Sequence, residues 1–89
     1  MYYAADKQRA ERAIAELRAA RSGERTQALA RLKQLRNEIA PERGDHAHLE
    51  AWEAIRMLYE ALRKGHSEGL GPLWDDALLK AEIWYASLR

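Results

Sequence analysis

An all-α fold, a compact antiparallel bundle of four helices, follows from three observations on the sequence. Alanine, leucine, glutamate, arginine and lysine dominate, Val and Phe are absent, Thr occurs once (Thr26), and Ile occurs only at Ile14, Ile39, Ile55 and Ile83. The common residues are strong helix formers, and the β-branched and aromatic residues that favour strands occur in no period-two run. The two prolines and five glycines fall in clusters that cut the chain into four helix-length segments. Finally, 47% apolar residues beside 33% charged ones suffice for a core and a solvated surface, which excludes disorder. At 89 residues the chain is one domain, since a second would need its own core.

The first helix is expected over residues 4–21. At 100° per residue, Tyr3, Ala10, Ala13, Ile14, Leu17 and Ala20 share one face, with Gln8, Arg12, Ala15 and Ala19 opposite. Ser22-Gly23 interrupts the pattern. Gly23 suits the left-handed residue that follows a helix, and Ser22 alternatively suits the cap of the next one. The second helix, residues 24–40, carries Ala28, Leu29, Leu32, Leu35 and Ile39 on its apolar side, and Pro41-Glu42-Arg43-Gly44 reads as a turn. The alternative is one long, kinked N-terminal rod in a three-helix arrangement. A coiled-coil register carried forward from Ile14 and Leu17 meets Arg21 and then Glu24, two charges on the seam, which favours a hairpin.

Asp45 is the expected N-cap of a third helix over residues 46–64, whose apolar face is Leu49, Trp52, Ile55, Leu58, Tyr59 and Leu62. Gly65 stops it. Residues 65–71, with three glycines, form the one real loop, and Pro72 suits the first position of a fourth helix over residues 72–88.

The inventory for catalysis is thin, and the chain is expected not to be an enzyme. Without cysteine there is no thiolate nucleophile, no disulfide and no cysteine-built zinc site. Ser22, Thr26, Ser67 and Ser87 have no glycine elbow and no base placed by sequence. Gly69-Leu70-Gly71 lacks the Lys-Ser/Thr ending of a P-loop and follows no strand, so it reads as a connector. His46 and His48 project about 200° apart on a helix and do not chelate from one face. His46 and Glu50 share a face, and a metal site would need further ligands such as His66. The simpler reading places both histidines in a solvated first turn, and no metal or cofactor is expected. Asp75-Asp76 reads as first-turn acids stabilising the positive end of the helix dipole.

Charge is uneven along the chain. Residues 1–43 hold ten Lys+Arg against six acids, and residues 44–89 hold five against eight, although the whole chain is only +1. Arg9, Arg12, Arg18, Arg21, Arg25, Arg31, Lys33 and Arg36 make the first two helices a basic hairpin, suited to an acidic protein surface or to nucleic acid. Against the second reading, Lys7–Glu11 and Arg12–Glu16 form i,i+4 pairs that dilute the positive field, no aromatic residue sits among the bases, and no short recognition helix is present.

The fourth helix is unusual. Leu73, Trp74, Ala77, Leu78, Ala81, Trp84, Tyr85 and Leu88 form one broad apolar face, while Leu79, Ile83 and Ala86 form a second stripe bounded by Asp75, Asp76 and Glu82. Met57 likewise leaves the core face of the third helix and projects among His46, Glu50, Glu53 and Lys64. A helix apolar on two sides is either central in its bundle, with Leu79 and Ile83 meeting Leu29 or Leu32, or has a partner. The functional expectation is a small interaction protein, acting as an adaptor, regulator or inhibitor, that binds another protein or a second copy of itself through Met57, Leu79 and Ile83. The basic hairpin would steer it, and nucleic-acid binding through that hairpin is the alternative. The absence of a signal-like run near the start and of any 18-residue apolar stretch sets the expectation of a cytoplasmic location with no membrane association.

Overall fold

The computed structural model describes residues 2–41, 45–66 and 68–88 and, for residues 2–4, the backbone alone. It forms four helices, α1 (Tyr2–Ser22), α2 (Arg25–Glu38), α3 (His46–Arg63) and α4 (Leu70–Ser87). Each packs against its neighbours in sequence, and α4 closes the ring against α1. Among the described residues no Cα of α1 comes within 8 Å of α3, nor any of α2 within 8 Å of α4. The result is an up-down-up-down bundle of 40 × 20 × 19 Å. The hairpin prevails over the kinked rod. Arg12 near the start of α1 reaches Glu38 at the end of α2, and Glu16 pairs with Arg31, a reversal that only antiparallel helices give.

The core is a set of large side chains seated between alanines. Trp84, Leu17, Leu32, Leu35, Ile39, Ile55 and Leu58 are fully buried, and Ala10, Ala13, Ala20, Ala28, Ala51, Ala54, Ala77 and Ala81 are buried around them. Small residues on all four helices allow close approach, which compensates for the few large groups in α1. Leu17, Leu32, Leu35, Ile39, Ile55, Leu58, Tyr59, Leu62, Trp74 and Trp84 occupy the expected core faces, while Ile14, Leu29, Trp52, Leu73, Leu78 and Tyr85 pack at its margin. The expected contribution of Tyr3 lies outside the described side chains.

Two placements on α3 differ from expectation. Leu49 is 40% exposed, whereas His48 is buried, 8% exposed, rather than solvated in a first turn. His48 is spaced three residues before Ala51 and seven before Ile55, so it continues the inward seam, and Leu49 sits a further 100° around the helix. The His48 ring stacks on Trp84 with centroids 4.2 Å apart and planes 4° from parallel. Its Nε2 donates to the Ile39 carbonyl at 2.6 Å, and because a carbonyl only accepts, the proton is on Nε2. One polar side chain thus joins the end of α2, the start of α3 and the end of α4.

Helix ends also differ from expectation. Gly23 does not adopt positive φ. Instead the Ser22 hydroxyl donates back to the Arg18 and Ala19 carbonyls at 3.3 and 3.2 Å, partnering the end of α1 without a left-handed residue. Ser22 therefore belongs to α1 and does not cap α2, whose N-cap is Glu24. Asp45 is the N-cap of α3 by position, with no side-chain capping bond. Gly65, at φ 82°, ends α3 as expected, with its N–H bonded to Leu62 and the His66 N–H to Ala61 in the Schellman pattern. Gly69, at φ 77°, starts α4 two residues earlier than Pro72 suggested, so Pro72 is the third helical residue, still inside the turn whose N–H groups lack helical acceptors. Asp75 and Asp76 consequently lie beyond the first turn, and their partners are Arg21 and Lys80 rather than the helix dipole. Residues 42–44 of the expected turn, and Ser67, lie outside the described residues.

Two glycines separate backbone strain from helix propensity. Gly65→Ala places a Cβ at φ 82° and is expected to cost about 1–2 kcal/mol, whereas Gly71→Ala, with no atom within 4 Å of the added Cβ, is expected to be neutral or slightly stabilising. Urea midpoints at constant m-value read both. By the same assay, His48→Ala strips the Ile39 carbonyl of its donor and one face of Trp84 of its stack, for an expected loss of about 2–4 kcal/mol.

Candidate functional site

The rotation of α4 is set by Trp74, Ala77, Ala81 and Trp84, which face the core. Leu79 and Ile83 then point the other way, 53% and 48% exposed, and do not meet Leu29 or Leu32 of α2. On the adjoining helix Met57 is 53% exposed. These three residues were singled out from the sequence. The structure adds Leu49, an apolar residue beside the core seam that the sequence pattern places on the core face. All the large, exposed hydrophobic side chains among the described residues therefore sit on α3 and α4.

Between those two helices runs an open groove of about 240 Å³ lined by Leu49, Ala54 and Met57 together with His46, Glu50, Glu53, Asp76 and Lys80. Leu79 and Ile83 lie three residues beyond Asp76 and Lys80 respectively, on the outer side of this groove. The carboxylates along it have local partners: Glu50 meets His46 at 3.3 Å, Glu53 meets Arg56 at 3.0 Å, and Asp76 meets Lys80 at 3.4 Å. Hydrogen bonding to Arg56 holds the Glu53 carboxyl below its ordinary value. The groove is thus lined by apolar side chains together with three carboxylates that have local partners, and Leu79 and Ile83 lie outside it.

The basic residues of α1 and α2 have a different place. Arg12 binds Glu38, Arg18 reaches Glu82, Arg21 binds Asp75, Arg31 binds Glu16, and Arg36 approaches Glu60 while lying over the Tyr59 ring. Arg9 donates to the Glu38 carbonyl at 3.0 Å, and Arg25 donates to the Leu62 carbonyl at 2.7 Å, at the negative end of α3. The expected Arg12–Glu16 pair within α1 gives way to two links across the hairpin, because the facing helix brings Glu38 and Arg31 within reach. Lys33 makes no ion pair among the described residues. The seven arginines are therefore ties between helix ends and helix faces, and their charge is partly neutralised before any phosphate approaches.

Among the described residues no group of three His, Asp or Glu side chains is arranged to hold a metal ion, and His46 has Glu50 as its neighbour without His66. No helix among them is long and apolar enough to cross a membrane. A second hollow, about 430 Å³, opens at the bundle end between Arg21, Arg25, His66, Leu70 and Trp74, with both arginines already bonded elsewhere in the fold. Comparison of the chain with family models, with curated proteins and with solved structures finds no match.

The carboxylates on α3 define an acid response. Glu53 and Glu60 are held below 4.5 by hydrogen bonds from Arg56 and Arg63, so the unfolded chain takes up their protons first as pH falls. Their stabilisation is present above the ordinary value and is lost as pH drops through the lower folded one. Glu60→Gln should accordingly flatten the fall of the urea midpoint with pH below about 4.5, and 1 M salt should shrink the difference from wild type, because these pairs are exposed.

Proposed function

We propose that this protein is a non-enzymatic interaction module that acts by presenting the outer face of α3 and α4 to another macromolecule. The observation that carries this reading is the position of Met57, Leu79 and Ile83. Three large apolar side chains, each about half exposed, lie on two adjoining helices, and among the described residues all the large exposed hydrophobic side chains lie on these two helices. Fold formation does not need them there, since the core of α4 is complete on its opposite face. Large exposed apolar residues among charged groups are the usual composition of a protein-binding patch, in which desolvation drives association and the surrounding charges select the partner. The role is that of an adaptor, regulator or inhibitor that works by occupancy. The engaged arginines of α1 and α2 favour this surface over a phosphate-binding one.

Leu79→Asp combined with Ile83→Lys tests the reading. Both positions are exposed, so the double variant should keep its far-UV circular dichroism and lie within about 0.5 kcal/mol of wild-type stability. It should lose whatever the wild type captures from native lysate or, for a self-associating chain, drop in mass by light scattering. An unchanged capture profile and an unchanged mass would overturn the assignment of this face.

A further inference from the structure

We infer that the occupant of the α3–α4 face is a basic amphipathic helix of another protein, with its apolar residues on Met57 in the groove and on Leu79 and Ile83 at its outer side. This inference rests on the interaction reading above and adds the chemistry of the partner.

Charge complementarity selects that occupant. Glu50, Glu53 and Asp76 line the groove with Lys80 and the His46 ring, and Arg56 pairs with Glu53 beside it, so acids still outnumber Lys and Arg there. A second copy presenting the same face would bring the same carboxylates together around its own apolar patch, at a cost in like-charge repulsion. A second copy presenting its basic α1–α2 face would offer no large exposed apolar side chain, since among the described residues all of these lie on α3 and α4. Neither arrangement satisfies both the apolar side chains and the carboxylates of this face. A helix with Leu-like residues on one side and Lys or Arg flanking them satisfies both.

The shape agrees with this mode. The groove runs between two antiparallel neighbours, so a helix laid into it packs as another helix of the bundle would, with residues at i, i+3 or i+4 and i+7 as anchors. Met57 suits such a seat, because an unbranched thioether adapts to different side chains. Lys80 is tied to Asp76, which leaves Glu50, opposed only by the His46 ring, as the carboxylate most available to an incoming cation.

The experiment titrates the full-length protein with a labelled peptide of Leu and Lys, helical and matched to the 18 residues of α4, and with its twin carrying Glu in place of Lys. Fluorescence anisotropy is read at low salt and at about 0.3 M salt. The Lys peptide should bind at least about tenfold more tightly than the Glu peptide, and more weakly at the higher salt. Met57→Ser with Ile83→Ser should weaken it about tenfold or more, and Glu50→Gln with Glu53→Gln about fivefold with a smaller salt effect, while Lys33→Gln on α2 changes nothing. Thermal unfolding of each variant verifies that the bundle is intact. Equal binding of the two peptides would overturn the basic partner and leave the apolar reading standing. So would a dimer that Leu79→Asp with Ile83→Lys dissolves, since the occupant is then a second copy. Lys-peptide binding unaffected by Met57→Ser with Ile83→Ser would overturn both readings, and a monomer that binds neither peptide would overturn the inference alone.

Discussion

Trp84 and His48 hold the geometry of this bundle. Trp84 is the largest fully buried side chain, and His48 is buried against it in a parallel stack. The Nε2–H bond to the Ile39 carbonyl satisfies a backbone acceptor at the end of α2 where the helix can no longer do so. In a core of this size, with alanines making up much of the lining, one bicyclic ring determines how α4 is rotated. Once Trp84 and Trp74 point inward, Leu79 and Ile83 point outward. The stack is not free of cost: the Trp84 Nε1–H has no partner among the described residues, an unmet donor worth about 1–3 kcal/mol. That the ring is buried nonetheless indicates that its contact area outweighs the loss, since burying an aromatic of this size stabilises by several kcal/mol.

The electrostatics serve the architecture more than they serve a ligand. Arginines reach acids on neighbouring helices, and three of these pairs, Arg18–Glu82, Arg21–Asp75 and Arg36–Glu60, join the basic half of the chain to the acidic half, so part of the charge asymmetry is internal pairing. Exposed pairs of this kind contribute little individually, about 0–1 kcal/mol, but they span three of the four helix interfaces and so discriminate against wrong registers. Arg25 differs in kind. It donates to carbonyls at the end of α3, the place where a cation is favoured by the helix dipole and where the Schellman turn at Gly65 leaves oxygen atoms available.

Outside these ties lies a surface on α3 and α4 whose large apolar groups are about half exposed. Met57, Leu79 and Ile83 were visible in the sequence because each breaks the periodicity of its own helix. Leu49 was not, because hydrophobic character alone placed it on the core face. His48 was missed for the complementary reason: its spacing to Ala51, Ile55, Leu58 and Leu62 is that of a core seam, but a histidine near a helix start reads as solvated. Spacing, rather than residue type, separates the two.

The sequence by itself determined the helical class, the four segments, the hairpin break between α1 and α2, the end of α3 at Gly65 and most of the core, because these depend on local propensity and on a 3.6-residue period. Only the tertiary structure decided which apolar side of α4 faces inward, which acid each arginine binds, and that His48 rather than Leu49 is buried. Those outcomes depend on what stands across from each residue. An arginine with carboxylates within reach both along its own helix and across the hairpin is settled by distance, and a helix with two apolar sides is settled by which side has a core to fill.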